Sequence, residues 1–196
     1  MSKLIVNTIE AQTYKYDSDT TGMTLSSNGS PVFENRLDYI ESTYPASATW
    51  DITTDGIPSW HREITLAFDQ ISGSADGAVS YQVYDGGTLE TTGYKYVSYY
   101  AGNGGTVTTS NRNSTDIGFQ FYGWENAGNI MCGTITLTRL QSNYYVVKGQ
   151  AYNEGYRDYW IGLDGRQDSI SNGITGMRLT QASGQWDSGR VRLYWR

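Results

Sequence analysis

The amino-acid sequence predicts an all-β protein, built as an antiparallel sandwich or barrel. Short runs alternate apolar and polar residues, which places one face of each strand in a core. Clusters of Gly, Asn, Asp and Ser separate these runs at intervals of about 8–12 residues, a spacing typical of antiparallel β-folds. No window shows an extended helical period. Together these observations define the fold class.

The stretch from Arg62 to Tyr94 shows the alternation most clearly. Two of its runs place apolar residues at every second position: Ile64, Leu66 and Phe68, then Val79, Tyr81 and Val83. A loop rich in Gly, Ser and Asp joins the two runs, which predicts a β-hairpin with one face in a core.

Similar runs continue to the end of the sequence. We predict strands at positions 47–53, 62–69, 78–84, 93–100, 106–109, 117–123, 130–140, 144–152, 158–163, 174–181 and 188–195. The last run alternates Val191, Leu193 and Trp195 with polar residues and Tyr194. This pattern predicts that the final strand lies inside a sheet.

Residues 1–45 differ from the rest and are predicted to form an extended N-terminal arm of short strands. The arm contains few large apolar side chains, and those to which we assign the anchoring are Leu4, Ile5, Val6, Ile9, Met23 and Leu25. Such an arm becomes ordered by adding its strands to a sister subunit or a larger scaffold, and the alternative is that it is disordered. Residues 35–45 are interpreted as one helical turn or a plain connector, so the sandwich domain is predicted over 46–196.

The composition argues against several classes of partner. The formal net charge is −6 and the sequence has no basic run, so we expect no binding to nucleic acid or to an anionic membrane. No apolar run is long enough for membrane insertion, and the first residues lack a signal-peptide pattern. We therefore expect synthesis in the cytoplasm. Cys132 is the only cysteine, which excludes an intrachain disulfide and predicts a small buried residue.

Several segments carry a resemblance to known proteins. The motifs lie at residues 64–68, 91–94, 133–137, 176–179 and 187–194, and the opening ones at 3–9 and 21–29. In this order they resemble a C-terminal module of tailed-phage virion proteins and the start of many phage fibre and appendage proteins. The resemblance implies a jelly-roll-like β-sandwich, a homotrimer and a structural or adhesive role on a virion.

The resemblance sets our expectation for function. Fibres with this module usually carry a longer shaft, whereas only about 45 residues precede the sandwich here, which favours a capsid decoration (cement) protein. We expect a non-enzymatic homotrimer on the virion surface, held by its arm to the major capsid protein or another virion protein. The alternative is a receptor-binding short tail fibre that contacts a host surface glycan.

The density of aromatic residues suggests where such recognition would occur. Tyr99 and Tyr100 are adjacent, so each face of their strand presents a tyrosine. Exposed Tyr and Trp are common interface anchors, and their flat apolar faces also suit sugar rings. The candidate surface residues are Tyr99, Tyr100, Trp124 and Tyr156. The competing interpretation is that these aromatics serve cross-strand packing and trimer contacts.

The sequence predicts no catalytic residue, metal site or cofactor. The single histidine, His61, begins a strand beside Trp60 and is expected to be partly exposed rather than a general base. Acidic residues pair along the sequence at Asp17 and Asp19, Asp85 and Glu90, and Asp164 and Asp168. Glycoside hydrolysis requires two carboxyl groups that face each other across a cleft. A glycan hydrolase is therefore the weakest of the three alternatives.

Overall fold

The β-fold predicted from the sequence is confirmed. A computed structural model of the chain describes residues 13–15, 21–25, 31–32, 38–101, 107–112, 118–121, 127–141, 144–154 and 159–196. These described residues form strands joined by turns and bends, without an α-helix. The chain divides into two units, Met1–Leu37 and Asp38–Arg196.

The first unit contains one small antiparallel sheet. Its strands are β1 (Thr13–Lys15), β2 (Thr21–Leu25) and β3 (Pro31–Val32), in the order β1-β2-β3. Two of the predicted arm residues, Met23 and Leu25, belong to β2. The other four, Leu4, Ile5, Val6 and Ile9, lie outside the described residues.

The second unit contains two antiparallel sheets. The strands of the larger sheet are β4 (Asp38–Thr43), β6 (Glu63–Gly73), β9 (Tyr94–Ala101), β10 (Val107–Arg112), β12 (Ile130–Gln141), β13 (Tyr144–Glu154), β14 (Tyr159–Gln167) and β16 (Trp186–Trp195). Those of the smaller sheet are β5 (Thr49–Thr53), β7 (Val79–Asp85), β8 (Thr88–Leu89), β11 (Phe119–Gln120) and β15 (Ile174–Gln181). The larger sheet has the order β10-β9-β14-β13-β12-β6-β16-β4. The smaller has the order β11-β7-β15-β5, with β8 beside β7.

The two sheets bury their apolar faces against each other. Side chains of β6 alternate between buried Ile64, Leu66 and Phe68 and more exposed neighbours, as the sequence predicts. The ring of Phe68 lies 5.8 Å from that of Tyr81 on β7, which belongs to the opposite sheet. The core therefore lies between two sheets, and the fold is a sandwich.

The predicted hairpin between the runs at 62–69 and 78–84 is wrong. Strand β6 pairs with β12 and β16, whereas β7 pairs with β8, β11 and β15. A bulge bends the end of β6, where Gln70 adopts a φ of 52° and Ile71 is buried. The chain then crosses to the other sheet. Both runs face the same core, but from opposite sides.

The segment at 35–45 also differs from its interpretation as a helical turn or connector. Residues Asp38–Thr43 form β4, which pairs along its whole length with β16. On this strand Ile40 packs against the core while Tyr39 is exposed, so the segment has the alternation of a strand. The larger sheet thus begins within the part of the sequence that was assigned to the arm.

The final strand lies inside the larger sheet, as predicted, because β16 pairs with β6 on one side and β4 on the other. Leu193 on this strand is fully buried. We expect Leu193→Ala to lower the free energy of unfolding by about 2–5 kcal/mol, since it leaves a cavity in the core. Urea denaturation followed by fluorescence measures this loss.

Arg190, three residues earlier on the same strand, supplies the control for that variant. The Arg190 side chain is about half exposed, and its ion pair with Asp69 is long, at 3.9 Å. We expect Arg190→Ala to change stability by less than about 0.5 kcal/mol. Equal losses for the two variants would contradict the assigned orientation of β16.

Candidate functional site

The structure separates the two adjacent tyrosines that the sequence singled out. On β9, Tyr100 packs against the core, whereas Tyr99 lies on the outer face of the larger sheet. Trp124 and Tyr156 lie outside the described residues. Of the four candidate residues, Tyr99 is therefore the one that the described structure presents on an outer sheet face.

Two further aromatic residues lie near Tyr99 on the same face. Tyr152 on β13 and Trp160 on β14 are register partners, and their rings lie 5.3 Å apart at an angle of 56°. Trp160 is 63% exposed, an unusually large apolar surface for a residue within a sheet. We call Tyr99, Tyr152 and Trp160 the aromatic platform.

A glycine makes room for the third ring of the platform. Gly162 on β14 is the register partner of Tyr99, and a Cβ atom at this glycine would stand 2.2 Å from the tyrosine ring. Any side chain at position 162 would therefore displace the ring. Tyr99 covers the backbone of β14 two residues from Trp160, so the platform extends over three neighbouring strands, β13, β14 and β9.

Polar side chains border the platform. The Tyr99 hydroxyl donates a hydrogen bond to Asp164 Oδ2 at 3.3 Å, and partial burial together with this carboxylate raises the pKa of Tyr99. Lys148 is the register partner of Asp164, and Gln150 is that of Gly162; all three polar side chains are exposed. An exposed apolar surface bordered by donors and acceptors can bind a molecule that has both apolar and polar faces.

A cleft lies beside the smaller sheet. A cleft of about 630 Å³ is lined by residues that include Asp51, Thr53, Asp55, Tyr84 and Thr175. Arg178 donates two hydrogen bonds to Asp51, at 2.6 and 2.9 Å, and the Tyr84 hydroxyl donates a third at 2.7 Å. The bonds from Arg178 hold the pKa of Asp51 below its usual range, although partial burial opposes them. Asp51 is thus fixed in an ion pair across β5 and β15.

His61 differs from the sequence prediction, because it is fully buried. Its Nδ1 donates a hydrogen bond to the carbonyl of Pro58 at 2.8 Å, and its Nε2 accepts one from the Tyr145 hydroxyl at 2.9 Å. Since a carbonyl can only accept, Nδ1 carries a proton, and burial favours the neutral imidazole in which Nε2 accepts from the tyrosine hydroxyl. Burial lowers the pKa of His61. The residue anchors the loop before β6 to β13.

Three of the acidic residues that pair along the sequence bind to other segments of the chain. Asp85 is buried and accepts hydrogen bonds from the backbone N–H groups of Ser171 and Asn172. Glu90 accepts a hydrogen bond from Ser169 at 3.0 Å. Asp168 forms an ion pair with Lys95 at 2.7 Å. The remaining pair, Asp17 and Asp19, lies outside the described residues.

The described part of the chain was also searched for metal ligands and membrane spans. It contains no group of three or more His, Cys, Asp or Glu side chains that could hold a metal ion. No helix among these residues is long and apolar enough to cross a membrane. Cys132, predicted to be buried, is partly exposed on β12, where its sulfur accepts a hydrogen bond from the backbone N–H of Gln70 at 3.3 Å.

Comparison with known proteins gives no match: no family model matches the sequence, and no curated protein or solved structure is significantly similar to it. The candidate site therefore depends on its geometry. Sequence reasoning selected neither Trp160 nor Tyr152. Their alternation along β13 and β14 carries the signal for an outward side chain, but their pairing depends on the register between the strands.

The buried histidine predicts a specific pH dependence of stability. The folded protein holds His61 neutral with a pKa below its ordinary value of 6.5, whereas the unfolded chain takes up a proton near that value. Below pH 6.5 the unfolded state therefore binds more protons than the folded state, and the contribution of His61 to stability decreases as the pH falls.

The variant His61→Gln tests this dependence. Chemical denaturation between about pH 7 and pH 5 should show a steeper loss of stability for the parent protein than for the variant, since the chain has one histidine. We expect the variant to be less stable at pH 7, because its amide replaces two buried hydrogen bonds imperfectly. Identical slopes in the two proteins would show that His61 is not held neutral.

Proposed function

We propose that this protein is a non-enzymatic structural protein of a phage virion, a homotrimer that decorates the capsid surface. The division into two units carries the proposal: a small sheet of short strands in residues 1–37 and a sandwich with a large core in residues 38–196. One unit is suited to attachment and the other to a stable exposed body. The sequence resemblance to tailed-phage virion proteins supports the same assignment.

The contacts made by the reactive side chains support a structural role. His61 is buried against Tyr145, Asp85 holds the turn at 171–172, and Asp51 is bonded to Arg178. Each of these contacts joins segments that are distant in sequence. A general base or acid needs access to substrate, whereas these groups are already engaged in holding the sandwich together.

The proposed anchor is the N-terminal arm, including Leu4, Ile5, Val6, Ile9, Met23 and Leu25. Strand addition to a neighbouring protein requires mainly backbone hydrogen bonds, so it suits short strands with few large side chains. In a trimer three such arms would bind as one unit, and their effective concentration would strengthen weak individual contacts. The partner would be the major capsid protein or another virion protein.

Deletion of residues 2–30 tests the anchor. We expect the shortened protein to lose binding to particles that lack the decoration, because the strands used for attachment are gone. Cosedimentation with purified particles measures binding, and circular dichroism with thermal unfolding shows whether the sandwich remains folded. Undiminished binding of a folded deletion variant would show that the arm is not the anchor.

A receptor-binding appendage is the second candidate, and the exposed aromatic platform favours it. A short tail fibre would present such a surface to a glycan of the host. Copy number separates the two locations. A decoration protein should follow the many repeats of the shell, whereas an appendage should follow the low symmetry of the tail. Quantitative gel analysis of purified virions, or a low-resolution image, measures this directly.

A further inference from the structure

We propose that the aromatic platform of Tyr99, Tyr152 and Trp160 is a carbohydrate-binding surface that takes the apolar C–H face of an uncharged pyranose ring. The inference goes beyond the proposed function, because it holds whether the protein lies on a capsid or on a tail. It also assigns a site to residues of β13 and β14 that the sequence did not select.

The first support is the exposure and the fixed position of Trp160. The indole is 63% exposed although it belongs to a strand with neighbours on both sides, β13 and β9. Tyr152 packs against it at 5.3 Å and restricts its rotation. Because the strands hold the ring, ligand binding needs little reordering of the protein, and less binding energy is lost to entropy.

The second support is the space around the indole. The register partner of Trp160 on β9 is Ala101, whose side chain is only a methyl group. Two residues along β14, Gly162 has no side chain, and the ring of Tyr99 lies over it. The surface beside the indole is therefore low and apolar. Such a surface suits a flat ring of about the size of a pyranose.

The third support is the polar border, which carries one basic and two acidic side chains, Lys148, Asp164 and Glu154. Lys148 and Asp164 are exposed register partners of opposite charge, and the amide of Gln150 is the next outward side chain on β13. Ammonium, carboxylate and amide groups together offer the donors and acceptors that sugar hydroxyls require. A border with a small excess of negative charge disfavours an anionic ligand such as a polyuronic acid or a nucleic acid.

The same border argues against a second copy of the chain as the occupant. Protein interfaces concentrate aromatic residues in their cores but are depleted of Lys and Asp at those positions. Here the border includes Asp164, whose carboxylate accepts a hydrogen bond from Tyr99 itself and so lies directly beside an aromatic ring of the platform. A protein partner would have to desolvate that carboxylate.

The full-length protein can be tested by affinity electrophoresis in native gels that contain a soluble polysaccharide. Hydroxyethylcellulose, dextran and galactomannan serve as uncharged probes, and polygalacturonate serves as the acidic probe. We expect at least one uncharged polysaccharide to retard the protein. Trp160→Ala should then raise the apparent Kd at least about tenfold, because it removes the main stacking surface.

Trp60 provides a matched control, because it is also a tryptophan on the surface and is 57% exposed. It lies in the turn before β6, which His61 joins to the Tyr145 end of β13, seven residues from Tyr152. Trp60→Ala should bind the polysaccharide as the parent protein does. Equal losses in both variants, retardation by polygalacturonate alone, or no retardation by any uncharged probe would overturn the proposal.

Two further measurements complete the test. Asp164→Asn keeps the shape of the border but removes a charged acceptor for sugar hydroxyls, so binding of an uncharged sugar should weaken by about threefold to tenfold. A larger loss than that of Trp160→Ala would indicate a cationic ligand and overturn the proposal. Sedimentation velocity reports the oligomeric state of Trp160→Ala. Dissociation of the oligomer in this variant but not in Trp60→Ala would assign the platform to a protein contact instead. Trp160→Ala keeps the proposed anchoring arm and should still bind particles. A loss of sugar binding in this variant is therefore distinct from a failure of the proposed anchor.

Discussion

Aromatic contacts between the two sheets are the interaction on which the rest of the structure depends. Examples that join a residue of the larger sheet to one of the smaller sheet are Trp186 with Trp50, Phe68 with Tyr81, and Tyr94 with Phe119. Their ring centroids lie 5.6, 5.8 and 4.8 Å apart, within the range of favourable aromatic packing. Each pair buries large apolar surfaces from both sides, so neither sheet can hold its inward face without the other.

This shared core also determines what the outer face can do. Since the inward positions of β13 and β14 are committed to the core, the alternate positions point to solvent on a backbone that is hydrogen-bonded on both sides. A side chain there is held more firmly than one on a loop. Gly162 also shapes the outer face, because its missing side chain lets the Tyr99 ring lie against the sheet. The platform is thus a consequence of strand register.

Much of the fold could be predicted from the sequence, because alternation records which side of each strand is buried. The predicted runs at 130–140, 144–152 and 174–181 correspond closely to β12, β13 and β15. Alternation does not record which strands are neighbours. The runs that become β6 and β7 were therefore joined in a hairpin although they lie in opposite sheets. At the platform, Tyr99 could be selected from its adjacent tyrosine, but the pairing of Tyr152 with Trp160 requires the register.

Buried polar groups complete the argument about function. His61 and Asp85 are both buried, and each binds a segment more than eighty residues away in sequence. Such contacts stabilise the crossing loops of a sandwich, because an unpaired partner would leave a buried donor or acceptor unsatisfied. The interior therefore serves cohesion, which leaves recognition to the surfaces. The proposed anchoring arm and the proposed sugar-binding face of β13, β14 and β9 would then be two separate means of contact, one based on backbone pairing and the other on aromatic side chains.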